Sequence, residues 1–227
     1  MKTFLTEQEV VSICQAAPTP RDKALLWLLW DTGARVSEVL SIKWDDLDLF
    51  EGRCFIRTAK VKFWKTCPQC KHKAGRQSRY CPKCGGGLNS VEAIAEASSA
   101  RRRIVSFSPI TQSWLFTHWV VSWQAKIDSP WLFPGRSLES SLTTQAVQAM
   151  LTKAAAKTGL GGAILDHPSY DTQHKVSPHK FRDARAVHEF KKQPDLEGVR
   201  ILASKLGHSN PETTLQHYVK LIASGDV

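Results

Sequence analysis

The 227 residues are 42% hydrophobic and carry a net charge of +10, enough apolar content for one sizeable core and too much for a disordered chain. A positive balance of this size points toward a polyanionic partner rather than an acidic or neutral surface. The densest apolar run, residues 24–30, is far too short to span a bilayer, and the first residues lack the apolar segment of a signal peptide. These features predict a soluble, intracellular (cytoplasmic) protein that does not engage a membrane.

Thr6 followed by Glu9 has the spacing of a capping box and opens a first predicted helix. Thr19 and Pro20 open a second, which runs through Leu25, Leu26 and Leu29 to Gly33, and a short helical stretch over 34–42 follows. Glu51-Gly52 reads as a turn into a strand over 53–60, with a second strand over 103–108. Between them, residues 61–100 change composition sharply. This stretch reads as an insertion in a β-hairpin, whose last part, 91–97, is expected to be weakly helical. The remainder reads as helical: 110–126, 144–157 ending at Gly159, a helix capped by Ser177-Pro178 and running to about 191, 196–206 ending at Gly207, and a last helix capped by Asn210-Pro211. The tryptophans are assigned to apolar helix faces and core packing. The predicted fold class is mainly α with a small antiparallel β-sheet (α+β).

Six cysteines divide into two kinds. Cys14 and Cys54 stand alone in apolar surroundings and read as small buried hydrophobes. Cys67-Pro68-Gln69-Cys70 and Cys81-Pro82-Lys83-Cys84 form two knuckles in a Gly- and Lys-rich stretch, and four such thiolates suit one tetrahedral Zn²⁺ in a closed, structural site. An iron site with the same ligands is the alternative. Lys62, Lys65, Lys71, Lys73, Arg76, Arg79 and Lys83 surround the cysteines, with Trp64 and Tyr80 interleaved. The pattern predicts a zinc ribbon that touches a DNA backbone, against the plainer readings of a solvated face or a protein contact.

Three further segments carry residues suited to phosphoryl transfer. In Thr32-Gly33-Ala34-Arg35-Val36-Ser37-Glu38, an arginine follows a glycine turn with a carboxylate one helical turn later to orient it. In His179-Lys180-Phe181-Arg182, the spacing puts His and Arg on one helix face. The third is Leu206-Gly207-His208 with Tyr218 downstream. Two guanidiniums can clamp the non-bridging oxygens of a phosphodiester as charge develops on them, and a tyrosine needs cations and a proton acceptor to become a nucleophile.

Taken in this order, with Trp131-Leu132-Phe133-Pro134 and the Arg103-Ile104-Val105 strand, these segments resemble the tyrosine recombinase (phage integrase) family over nearly the whole chain outside the cysteine insertion. The resemblance implies a catalytic domain over 1–227 with an inserted ribbon over 61–100. It implies a site-specific DNA recombinase that cleaves and rejoins double-stranded DNA through a 3′-phosphotyrosyl intermediate, without ATP or a catalytic metal, and self-associates on DNA. The catalytic set it implies is Tyr218, Arg35, Arg182, His179, His208 and a hairpin lysine, Lys60 in preference to Lys62. His179 would accept the tyrosine proton, and His208 would bond the phosphate. His118, His167, His174, His188 and His217 are expected to pack or face solvent. Because the pattern starts almost at Met1, the N-terminal helical domain of most members is not expected in this sequence, and Asp183 stands where the family often has a second His. A silent DNA-binding regulator of the same fold and a type IB topoisomerase-like nicking-closing enzyme are the alternatives.

Overall fold

The computed structural model describes residues 4–58, 61–97, 101–161, 165–167 and 170–207. It divides into two units, one formed by residues 1–56 and 103–227 and the other by residues 57–102.

In the larger unit, helix α1 spans Glu7–Ala16, and its expected capping box is present, with Glu9 N–H donating to Thr6 Oγ1 at 3.3 Å and Thr6 N–H donating to Glu9 at 2.9 Å. Helix α2, Pro20–Thr32, starts where Thr19 accepts from Asp22 N–H and stops at Gly33, whose φ of 56° only glycine adopts readily. Every residue from Ala24 to Trp30 is buried, so this middle stretch of α2 is apolar all round and forms the centre of the core. Helix α3 is only Val36–Leu40, followed by a 3-10 turn at Trp44–Asp46. Strands β1, Leu47–Asp48, and β2, Arg53–Thr58, pair antiparallel around Gly52. The chain then passes through the second unit and returns as β6, Arg101–Ser106, which completes a sheet of order β1-β2-β6.

Strand β6 ends two residues earlier than its sequence predicts. Ser108 leaves the strand because it caps α4, Pro109–Gln124, accepting from Thr111 N–H while its own N–H donates to Asp31 of α2. Helices α5, Thr144–Lys157, α6, Pro178–Lys192, and α7, Leu196–Leu206, occupy the predicted spans. Between α5 and α6, in a part of the chain read as helical, lies a hairpin, Leu165–His167 with Tyr170–His174. Val147, Leu151, Leu115, Phe133 and Phe181 close the core around α2, and Val187, Leu202 and Leu206 join α6 to α7. Core packing holds for Trp27 and Trp30 but not for Trp119 and Trp123, which α4 presents at 44% and 72% exposure. Among the described residues, no helix is long and apolar enough to cross a membrane.

In the second unit, β3, Val61–Thr66, pairs with β4, Lys73–Gly75, and with β5, Ile94–Ala97. The weak helix expected over 91–97 is therefore a strand. Ladder bonds to β3, with Ile94 opposite Trp64 and Ala95 opposite Phe63, override the local alanine-rich propensity.

Candidate functional site: a cavity between helix ends and a cysteine cluster

The glycine turn builds the first wall of the site. Thr32 Oγ1 donates to Leu28 O at 2.6 Å and accepts from Ala34 N–H, which locks the exit from α2. Arg35 then caps α3, and Glu38 turns back on it, accepting from Arg35 N–H at 3.0 Å and from the Arg35 guanidinium at 3.2 Å. The orienting role expected for Glu38 is thus present in the geometry. Glu38 also accepts from Arg103 of β6 at 2.8 Å. Burial raises the Glu38 pKa, but the hydrogen bond and charge of Arg103, followed by those of Arg35, outweigh it and hold the carboxyl below its ordinary value.

Helix α6 builds the second wall. Ser177 accepts from Lys180 N–H and starts the helix, so His179 sits in its first turn, exposed, with Arg182 one turn further on. Arg182 is only 3% exposed and donates to Gly33 O at 2.7 Å and to Leu206 O at 2.8 Å. Both acceptors lie at helix C-termini, where carbonyls lack helical partners and a cation is favoured. One guanidinium therefore links the end of α2 to the end of α7. A side chain at Gly33 would meet Leu206 Cδ2 at 2.9 Å, so the close approach also requires glycine there.

Arg35, His179 and Arg182 open onto one cavity of about 460 Å³. Thr144, Gln145 and Gln148 from the start of α5 complete it, together with Ser37 and Ser177. The first turns of α5 and α6 both face this space, and free N–H groups at helix N-termini favour an anion. The sequence assigned no site role to the α5 residues or to Arg103. The only available signal was the Thr143 cap, which marks where α5 begins but not what it faces. Asp183, at the position noted for a second His, lies 3.9 Å from Lys180.

Lys60, His208 and Tyr218 lie outside the described residues, as do His217 and the last helix expected after Asn210-Pro211. Lys62 belongs to β3, but its side chain is not among those described, and the same holds for His167 and His174. His118 is buried and bonded to Leu132 O at 2.8 Å, a packing role as expected. His188 packs 5.6 Å from Trp30 and 3.4 Å from Glu7, away from the cavity. Cys14 and Cys54 are buried, and burial pushes the Cys54 thiol up to about 12.

The second candidate centre is the cysteine cluster of the smaller unit. The sulfur atoms of Cys67, Cys70, Cys81 and Cys84 all lie within 4.8 Å of one another, with Cys67–Cys84 and Cys70–Cys81 at 3.5 Å. A tetrahedron with metal–sulfur bonds of about 2.3 Å needs sulfurs about 3.8 Å apart, so the four can hold one metal ion. The two knuckles share a backbone design. Lys71 N–H donates to Cys67 O and Gly85 N–H to Cys81 O, and both Lys71 and Gly85 have positive φ. Backbone N–H groups of Cys70 and then Gln69 point at the Cys67 sulfur and bring its pKa down to about 7, whereas at Cys84 the Gly86 N–H lowers the value but the hydrogen bonds of Cys70 and Cys67 prevail and push it up to about 12. Lys65 is not one of the outward cations expected around this cluster: its ammonium donates to Ser78 O and Leu88 O and ties β3 to the knuckle loop.

Against known proteins, residues 3–224 match the model of the phage integrase family. The chain is 27% identical to the tyrosine recombinase XerA of Pyrococcus horikoshii over 96% of its own length and 56% of that protein. Among solved structures it resembles XerA recombinase, with a TM-score of 0.63 at 21% identity, covering 95% of this chain and 58% of that one. It also resembles the XerH site-specific recombinase bound to its difH substrate, with a TM-score of 0.61 at 16% identity, covering 99% of this chain and 52% of that one. The chain spans about half the length of the curated relatives XerA and XerC. With a family model that matches residues 3–224, the chain belongs to the phage integrase family.

Proposed function

We propose that this protein cleaves and rejoins double-stranded DNA as a site-specific tyrosine recombinase, with the cavity between Arg35, His179 and Arg182 as the seat of the scissile phosphate. The observation that carries this reading is the convergence of two guanidiniums and an imidazole, from segments far apart in sequence, on one cavity faced by two helix N-termini. Such a site supplies fixed positive charge where a phosphodiester develops negative charge, and preorganised charge of this kind does most to lower the barrier to phosphoryl transfer. Family membership supports the same chemistry.

In this reading Tyr218 Oη attacks phosphorus and its proton passes to His179, the exposed acceptor at the cavity rim. Arg35 and Arg182 hold the non-bridging oxygens, with His208 bonding the phosphate. The bond to the 5′ oxygen breaks, and Lys60, rather than Lys62, protonates that oxygen. The products are a 3′-phosphotyrosyl bond and a free 5′ hydroxyl. Attack by a 5′ hydroxyl of another strand reverses these steps and needs no external energy, because the phosphotyrosyl bond conserves that of the phosphodiester. Exchange between two duplexes requires the protein to self-associate on DNA.

Residues 61–100 form an inserted zinc ribbon in this reading, with Cys67, Cys70, Cys81 and Cys84 holding one Zn²⁺. All four positions are protein sulfurs, so the ion would hold the ribbon's fold and leave no place for a reacting water. Exposed Lys71, Lys73, Arg76, Arg79 and Lys83 would meet backbone phosphates.

The test is a nicked suicide duplex, from which the cleaved strand diffuses away and traps covalent protein. Wild-type protein should yield adduct, and Tyr218→Phe none, with DNA affinity nearly unchanged. Adduct at wild-type yield in the variant removes Tyr218 as nucleophile. Tight binding without adduct from the wild type leaves the silent regulator as the function.

A further inference from the structure

The residue that touches both halves of the candidate site without entering its cavity is Arg103. It lies on β6 with its side chain 13% exposed, and it donates to Glu38 at 2.8 Å, shorter than the 3.2 Å contact between Glu38 and Arg35. Glu38 in turn holds Arg35 through both its guanidinium and its backbone N–H. The other side of the Arg103 guanidinium covers Gly207. A Cβ built there would lie 2.7 Å from Arg103 Nη1 and 3.1 Å from Cζ, so the guanidinium occupies the space a side chain would take. Gly207 has φ 70° and ends α7 directly before His208, and its neighbour Leu206 gives its carbonyl to Arg182.

We propose that Arg103 is a positioning residue for DNA cleavage: it sets Arg35 through the Glu38 carboxylate and backs the Gly207 turn that leads into His208. This rests on the proposed recombinase reading. The physical reason is the geometry of the chain of contacts. Arg35 is 38% exposed, and the Glu38 carboxylate holds its tip to the fold. Arg103 grips the same Glu38 Oε2 that accepts from Arg35 N–H, and so fixes the carboxylate in the orientation in which its Oε1 meets the Arg35 guanidinium. Glu38 carries one negative charge against two guanidiniums, so the group keeps a net positive charge beside the cavity. Losing Arg103 would let the carboxylate turn and carry the Arg35 guanidinium with it. A fork-shaped donor is needed, since a lysine could reach the carboxylate but not also cover Gly207 as a plane.

Single-turnover cleavage of the suicide duplex separates this role from a merely structural one, because the amplitude reports folded, competent protein and the rate constant reports the site. Arg103→Gln should lower the rate constant about 100-fold, as small misplacements of reacting groups do, with DNA affinity and amplitude little changed. Arg103→Lys should recover part of the rate. Glu38→Gln should also be slow, and the double variant should lose far less than the product of the two single losses, because the two share the route through Arg35. A lowered amplitude with a wild-type rate constant would make Arg103 structural only. Multiplying losses in the double variant would mean that Arg103 acts apart from Glu38, and would overturn the proposal while leaving the recombinase reading intact. Absence of adduct from the wild type would overturn both.

Discussion

Arg35 and Arg182 carry the same charge into one cavity but are anchored in opposite ways. Arg35 is 38% exposed on its side chain and bound to a carboxylate that Arg103 also holds. Arg182 is 3% exposed and bound to two main-chain carbonyls at helix ends. Removing Arg35 takes little from the fold, because Glu38 keeps a buried partner. Removing Arg182 strands two buried carbonyls and unties α2 from α7. We expect Arg35→Ala to change unfolding free energy by less than about 1 kcal/mol, and Arg182→Ala to cost about 2–4 kcal/mol. Urea melts followed by circular dichroism would measure both. In the suicide-duplex assay the two variants should nevertheless share a loss of several orders of magnitude in cleavage rate, because in the proposed mechanism each clamps charge that appears in the transition state. Equal stabilities of the two variants would contradict the tether assigned to Arg182.

Helix α6 bears both His179 and Arg182, so what fixes α6 fixes the site. Its apolar seam to α7 through Val187, Leu202 and Leu206 is backed by one carboxylate. Glu189 contacts Arg185 at 3.1 Å, Lys192 at 3.1 Å and, across to α7, Lys205 at 2.7 Å. Partial burial raises its pKa, but the Lys205 hydrogen bond, then the Arg185 charge and the other cations, prevail and bring it down from 4.5 to about 2. A carboxyl whose pKa is lower folded than unfolded adds stability above its unfolded value. That stability is lost as pH falls through the folded one. Glu189→Gln should therefore cost about 1–2 kcal/mol at pH 7 after allowance for solvent screening. The gap to wild type should hold down to about pH 4.5 and close toward pH 2. Denaturant titrations at several pH values would show it, and a gap independent of pH would mean that packing, not charge, joins α6 to α7.

At the scale of the molecule, the two units differ in what can hold them together. The larger has an extensive core around α2, whereas among the described residues the cluster inside the smaller consists of Cys67, Ala74, Cys81 and Leu88, with Cys70 and Val91 against it. So few apolar groups cannot offset the entropy of ordering a loop of this length, and a metal worth about 10–16 kcal/mol in comparable peptides can. Elemental analysis should find one zinc per chain. A strong chelator should expose the amides of 61–97 to hydrogen exchange while α2 and α6 stay protected. Protected ribbon amides in metal-free protein would remove the structural ion. Replacing residues 67–91 by a short turn joins β3 to β5 in the observed register and deletes five exposed cations, Lys71, Lys73, Arg76, Arg79 and Lys83. For every phosphate that these cations neutralise, the deletion should flatten the plot of log affinity against log salt by about 0.9. An unchanged slope would assign the ribbon to protein contacts.

The local devices were legible in the chain because each depends on near neighbours. The Thr6–Glu9 box, the Thr19-Pro20 and Ser177-Pro178 starts, the Gly33 and Gly207 stops and the two knuckles all stand where spacing alone puts them. Arg35, His179 and Arg182 were legible for a different reason, since their motif resembles a family's and the structure gathers them on one cavity. Where distant segments compete with local preference, the sequence misled. Residues 94–97 became a strand because β3 offered a ladder, Ser108 left its strand to cap α4, and Lys65 turned from the surface to two carbonyls. Arg103 shows the limit most clearly. It follows two further arginines in the chain, and nothing local separates the three. Only the folding of β6 beside α3 and the end of α7 gives one of them a carboxylate and a glycine to hold, because those contacts join residues 65 and 104 positions apart.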